Sequence, residues 1–158
     1  MEKLTVEERL VKFLKKKHVH ISFAESMTGG LLAATLTNAS GTSNVLKESY
    51  ITYNNQSKIK LLHVKPETIE KFGVVSINTT LEMAKGLKEI TQSDVCVAVS
   101  GYAEGYFKGE DKGLVCYTII AFGNIRSHRV EILGTRNEVR KKCVDMIFEE
   151  IMGGEFDE

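Results

Sequence analysis

The spacing of apolar positions along this chain changes several times, and each change marks a predicted element. Leu4, Leu10, Val11 and Leu14 recur at helical spacing, and Thr5-Val6-Glu7-Glu8 beside them has the form of a capping box. From Val19 to Ala24 apolar and polar residues alternate, which is the period of a strand, and the run leads into Glu25. Gly29-Gly30 then opens a helix carrying Leu31, Leu32, Ala33, Ala34 and Leu36. The NASGTS stretch from Asn38 to Ser43 is a turn by composition, and Ser49–Tyr53 is a second β-rich run closed by Asn54-Asn55.

A short helix follows through Ile59, Leu61 and Leu62, and Pro66 suits the first position of another. Gly73 breaks that segment, and Ile77–Ile90 carries Leu81, Ala84 and Leu87 at amphipathic spacing. Asp94–Ser100 is nearly continuous in apolar residues, as strands covered on both faces are. A polar loop with glycines at 101, 105, 109 and 113 leads to Leu114–Phe122 and Ser127–Leu133, two strands around the Gly123-Asn124 hairpin signal. A second capping box at Thr135-Arg136-Asn137-Glu138 opens a last helix through Val139, Cys143, Met146, Ile147 and Ile151, and the tail 153–158 is expected to fray. Helices alternating with strands, then a late hairpin, predict one α/β domain over residues 1–158 with a three-layer α/β/α architecture and a mixed, mostly parallel sheet.

Composition narrows the function classes. Lys plus Arg and Asp plus Glu each number 21, so no global field draws nucleic acid or an anionic membrane, and neither is expected as a partner. No apolar run approaches the roughly 20 residues that span a bilayer, and the first residues lack a secretory apolar core, so a cytoplasmic location is expected. The three cysteines show no CxxC spacing, and Cys96 and Cys116 sit in strand-like apolar runs, which reads as buried structural thiols. His18 and His20 would share a strand face, but the four histidines form no metal-binding pattern and no metal is expected.

Four constellations carry candidate chemistry. The AESMTGG turn, Ala24 to Gly30, ends a strand and opens a helix, which aims backbone N–H groups and a helix dipole at the sheet edge. Ser26 and Thr28 either cap that helix or reach a ligand, and Gly29 and Gly30 allow close approach. Gly41-Thr42-Ser43 presents a hydroxyl pair, with Tyr53, Asn55 and Lys58 behind it. A serine nucleophile needs a base, and a lysine serves when burial or a neighbouring cation lowers its pKa. Taken alone, Lys58 reads better as a solvated helix lysine than as a base. Ser100-Gly101 delivers polar groups to the carboxyl edge, where open α/β sheets bind ligands, although Glu104, Glu110 and Asp111 make the following loop acidic. Arg136, Arg140, Lys141 and Lys142 crowd the last helix, either to meet a phosphate or as a charged helix face.

The blocks AESMTGGLLAATLTNASGTS, YITYNNQSK, GVVS, DVCVAVSG and GTRNEVR, in that order, resemble the CinA C-terminal domain family over roughly residues 4–150. That family includes nicotinamide mononucleotide amidohydrolases, which release ammonia to give nicotinate mononucleotide, and it commonly forms dimers. The resemblance implies Ser43 as nucleophile, Lys58 as base, Ser26 and Tyr53 beside them, and no cofactor. It places Thr28, Gly29, Gly30, Thr42, Asn55, Ser100 and Gly101 in the substrate pocket and Arg136 and Arg140 near the phosphate of a small mononucleotide. Backbone N–H groups near Ser26–Gly30 or Thr42 would hold the oxyanion. Met27 stands where a Cys is usual. After Gly101 the family reads Gly-Ile-Ala-Gly-Pro-Asp-Gly-Gly, whereas this chain reads Gly-Tyr-Ala-Glu-Gly-Tyr-Phe-Lys. Glu104, Tyr106 and Phe107 thus bring bulk and charge to one wall, which leaves a second reading open: a non-catalytic nucleotide-binding or interaction module.

Overall fold

The computed structural model describes residues 3–104 and 112–153. The five strands β1 (Ile21–Glu25), β2 (Leu46–Ile51), β3 (Val95–Gly101), β4 (Lys112–Ala121) and β5 (Asn124–Leu133) form one sheet in the order β2-β1-β3-β4-β5. β1 pairs in parallel with β2 and β3, while β4 is antiparallel to both β3 and β5. Four strands therefore point one way, and the pairings divide evenly between parallel and antiparallel. The six helices are α1 (Val6–Lys17), α2 (Leu31–Leu36), α3 (Asn55–Leu62), α4 (Pro66–Phe72), α5 (Ile77–Thr91) and α6 (Arg136–Met152).

Alternation along the central strands sends side chains to two cores. Ile21 and Phe23 of β1 and Val95, Val97 and Val99 of β3 pack with α1, α2 and α6. Ala24, Cys96 and Ala98 face the other way, against Leu62, Met83, Ala84 and Leu87. The result is the expected three layers, with β1 buried along its whole length. Phe23 is wholly buried and stacks near Phe148, and burying such a side chain contributes roughly 2 kcal/mol. All three cysteines are buried free thiols, and burial raises the pKa of each, that of Cys143 to about 12.

Local chemistry explains most element ends. The Thr135 and Glu138 side chains complete a capping box at α6, and Thr5 accepts from the Glu8 N–H at α1. Phe122 and Gly123 both have positive φ, 51° and 78°, as a tight type I′ hairpin between β4 and β5 requires. Two expectations need correction. His18 is the left-handed C-cap of α1 (φ 58°), and β1 begins at Ile21, so His18 and His20 do not share a strand face. β2 ends at Ile51, which places Thr52 and Tyr53 in the connection to α3 instead of in the strand. Of the tail expected to fray, residues 154–158 lie outside the described residues.

β1 leads through α2 to β2 on one side, whereas β3 lies on the other, so the chain reverses direction across the sheet between β1 and β3. That reversal opens a crevice beyond the carboxyl ends of these strands. One close approach fixes the packing of α3 on α5: a Cβ at Gly86 of α5 would overlap the Leu62 carbonyl oxygen at the end of α3. Gly86→Ala is expected to lower stability by about 2–4 kcal/mol, because backbone cannot yield as a flexible side chain can. A urea midpoint unchanged from wild type would contradict this packing account.

Candidate active site

Glu25, the last residue of β1, is fully buried, and its carboxylate lies at the start of α2. Oε1 accepts from the Thr28 hydroxyl (2.7 Å) and from the N–H groups of Gly30 (3.1 Å) and Leu32 (2.8 Å). Oε2 accepts from the Ala33 N–H (3.1 Å) and the Ser49 hydroxyl of β2 (3.1 Å). The orphan donors and positive dipole end of the helix are thus satisfied by a carboxylate from within the chain. Neither Ser26 nor Thr28 caps the helix: the N-cap is Gly30, left-handed at φ 102°, with no side-chain cap. The Gly30 N–H, expected to face a ligand, is committed to Glu25, and the Gly29 N–H bonds the Ser26 carbonyl.

With the helix start closed from behind, the turn projects Ser26 toward α3. Lys58 is fully buried there, although the sequence alone allowed a solvated lysine. Its Nζ donates to Ser26 Oγ (3.0 Å), to the Thr52 carbonyl (2.7 Å) and more weakly to the Tyr53 carbonyl (3.4 Å). Burial without a neighbouring carboxylate lowers its pKa from 10.5 to about 8. At pH 7 about a tenth of such groups are neutral. When neutral, the amine keeps two N–H bonds to the carbonyls and aims its lone pair at the Ser26 hydroxyl. That is the geometry of an activated serine.

The expected Ser43–Lys58 pairing is corrected by the same register. Ile21 pairs with Leu46 and Glu25 with Ile51, so residues just before β2 lie at the amino edge of the sheet. Ser43 is exposed there, in a 3-10 turn over Thr42–Asn44, whereas Ser26 and Lys58 follow the carboxyl ends of β1 and β2. The length of β2, at about 3.3 Å per residue, separates them by roughly 20 Å. Thr42 is also structural, its hydroxyl donating to the Leu36 and Ala39 carbonyls, which leaves Ser43 and Thr42 outside the crevice.

Around the Ser26–Lys58 pair is a cavity of about 180 Å³, walled by Tyr53, Asn55, Val74, Val75, Ser100 and Gly101 among others. The Ser100 hydroxyl donates to the Val74 carbonyl (2.9 Å), tying β3 to the loop that forms the wall. The cavity shares Met27, Tyr53, Gly101 and Tyr102 with an outer one of about 320 Å³ that reaches Glu104 and Arg136. Arg136 donates to Glu104 (3.2 Å) and to the Tyr53 hydroxyl (3.2 Å). Arg140 does not join it. Its guanidinium donates to the Met27 (3.1 Å) and Thr28 (2.7 Å) carbonyls, clamping the turn from the α6 side. Tyr106 and Phe107 lie outside the described residues.

Sequence reasoning did not single out Glu25 and Thr52 as site residues. The available signals were a carboxylate just before a helix-opening glycine pair, and an i, i+4 spacing of Lys58 with Leu62, the two buried residues of α3. Among the described residues no helix is long and apolar enough to cross a membrane, and no three His, Cys, Asp or Glu side chains converge as a metal site requires.

Comparison with known proteins bears on the family and the fold. The family model described as CinA C-terminal domain matches residues 3–153. A CinA-like protein of Petrotoga mobilis is 45% identical over 150 residues, which is 94% of this chain and 37% of that protein. The chain thus spans about a third of the length of the curated relatives it matches. Its fold matches the crystal structure of a competence or damage-inducible protein from Enterobacter asburiae with a TM-score of 0.85 at 32% identity, covering 94% of this chain and 97% of that one. A CinA superfamily protein from Escherichia coli gives a TM-score of 0.86 at 26% identity, over 96% and 93% of the two chains. By sequence across nearly its full length and by fold, the chain belongs to the CinA C-terminal domain family.

Proposed function

We propose that this chain is an amidohydrolase that deamidates a pyridine nucleotide carboxamide, nicotinamide mononucleotide being the reference substrate, with Ser26 as nucleophile and Lys58 as base. The observation that carries the reading is the 3.0 Å contact between a buried Lys58, its pKa lowered to about 8, and the Ser26 hydroxyl at the end of a cavity. Neutral Lys58 takes the hydroxyl proton as Ser26 Oγ bonds to the carboxamide carbon. The C–N bond then breaks, and the Lys58 ammonium returns its proton to the departing ammonia. Water adds to the resulting ester with Lys58 again as base, releasing the carboxylic acid and restoring Ser26. The Met27 N–H directly follows the nucleophile and has no acceptor among the described residues, which suits it to the developing oxyanion. A binding module without turnover is favoured instead by the Glu104 carboxylate on Arg136. Calorimetric binding of the mononucleotide with no ammonia released would select that alternative.

Ammonia release is the primary test. Ser26→Ala is expected to reduce it about 10³-fold or more, as for loss of other activated serines. Ser43→Ala should remain within twofold of wild type, and the reverse pattern would return the nucleophile to Ser43.

The pH profile follows from the same group. Since the neutral amine is the active form, kcat/KM should rise with pH and reach half its plateau near pH 8. A profile flat from pH 6 to 9 would rule out Lys58 as the base.

Stability shows the same shift independently of turnover. Between about pH 8 and 10.5 the folded chain has released the Lys58 proton while the unfolded chain keeps it, so stability rises with pH across that window. The unfolding free energy of wild type relative to Lys58→Met should therefore increase from pH 8 to 10.5 and stay constant below pH 7. Parallel curves for the two proteins would show an unperturbed lysine.

A further inference from the structure

We propose that Glu104 sets the specificity of the outer cavity, so that the site takes a phosphate-free pyridine nucleoside carboxamide on nearly the same terms as its 5′-phosphate. The inference rests on the reading of the crevice as a pyridine carboxamide site. It concerns the far end of the ligand, beyond the Ser26–Lys58 pair.

Among the described residues, the starts of α2 and α6 and the Arg136 guanidinium, three places at this edge of the sheet suited to a phosphate, each already hold a carboxylate. The start of α2 is occupied by Glu25, which takes the N–H groups of Gly30, Leu32 and Ala33. The start of α6 is closed by its capping box, in which Glu138 accepts from the Thr135 N–H (3.1 Å). Glu138 is held below the usual carboxylate range mainly by its bonds to Thr135. The third place is the Arg136 guanidinium, with one nitrogen on Glu104 Oε1 and another on the Tyr53 hydroxyl, both at 3.2 Å. The other nearby guanidinium, Arg140, is spent on the Met27 and Thr28 carbonyls.

The described lining of the outer cavity therefore offers one cation and one anion, already paired. A dianionic phosphate gains Arg136 only by displacing Glu104, and then lies beside a like charge. A ribose without phosphate meets no such conflict, since its hydroxyls donate and a carboxylate accepts. The pair is exposed, so Glu104 is not locked in place. Its effect is a moderate bias and not an absolute block.

The test measures affinity by calorimetry and kcat/KM by ammonia release, for nicotinamide mononucleotide and for its nucleoside. Wild type is expected to favour the mononucleotide by less than tenfold. Glu104→Gln keeps the shape and removes the charge; it should strengthen mononucleotide binding about tenfold and change nucleoside binding less than twofold, the scale of one close charge contact. Adding Arg136→Met to Glu104→Gln should abolish the gain. A wild-type preference of tenfold or more for the phosphate, equal changes for both ligands in Glu104→Gln, or no binding of either ligand would overturn the proposal. Binding with the expected ratio but without ammonia release would refute the amidohydrolase reading and leave the role of Glu104 standing.

Discussion

Five donors converge on the carboxylate of Glu25, and the main-chain carbonyl of the same residue accepts the Thr52 amide at 2.7 Å. The first set fixes the turn that presents Ser26. The second fixes Thr52, whose own carbonyl takes Lys58 Nζ. One residue at the end of one strand thus locates both members of the Ser26–Lys58 pair, which belong to segments more than thirty positions apart. A carboxylate with five donors is acceptor-only, and a neutral amide in its place would turn an N–H toward other N–H groups. The helix dipole that many α/β proteins direct at a ligand is used here internally, to order the turn.

That arrangement also accounts for the environment of Lys58. An ammonium in a dry site is unfavourable, and two backbone carbonyls and a hydroxyl satisfy its three hydrogens without supplying an opposite charge. A carboxylate partner would make the fold more tolerant of the cation and the amine less able to accept a proton. The site therefore trades some stability for basicity near neutral pH, a common pattern where buried titratable groups perform chemistry.

Much of the fold was legible from spacing, because strands and helices here follow their own periods and caps. The Gly123 hairpin, the Thr135 capping box and the buried run of β3 all formed where the pattern placed them. The separation of Ser43 from Lys58 has a topological cause. In a β-α-β crossover the residues that follow a strand lie at its carboxyl edge, and those that precede the next parallel strand lie at the opposite one. Ser26 and Lys58 each follow a strand, and Ser43 precedes one. Motif order along the chain does not carry that distinction, whereas strand direction does. Arg140 sits apart from the cavity for another reason: it lies one helical turn from Arg136 on the same side of α6, but its guanidinium is taken up by the Met27 and Thr28 carbonyls of the turn.

The three thiols have a consequence for exposure to oxidants. Cys96, Cys116 and Cys143 are buried with raised pKa values, so little thiolate is present to react with peroxide, nitrosating agents or alkylating reagents. Around Ser26 the sulfur chemistry is that of Met27, a thioether 4% exposed. Oxidative modification at this wall would proceed through a sulfoxide, which reductases reverse, and would bypass the sulfenic and disulfide states through which a cysteine at that position would couple the pocket to the redox state of its surroundings.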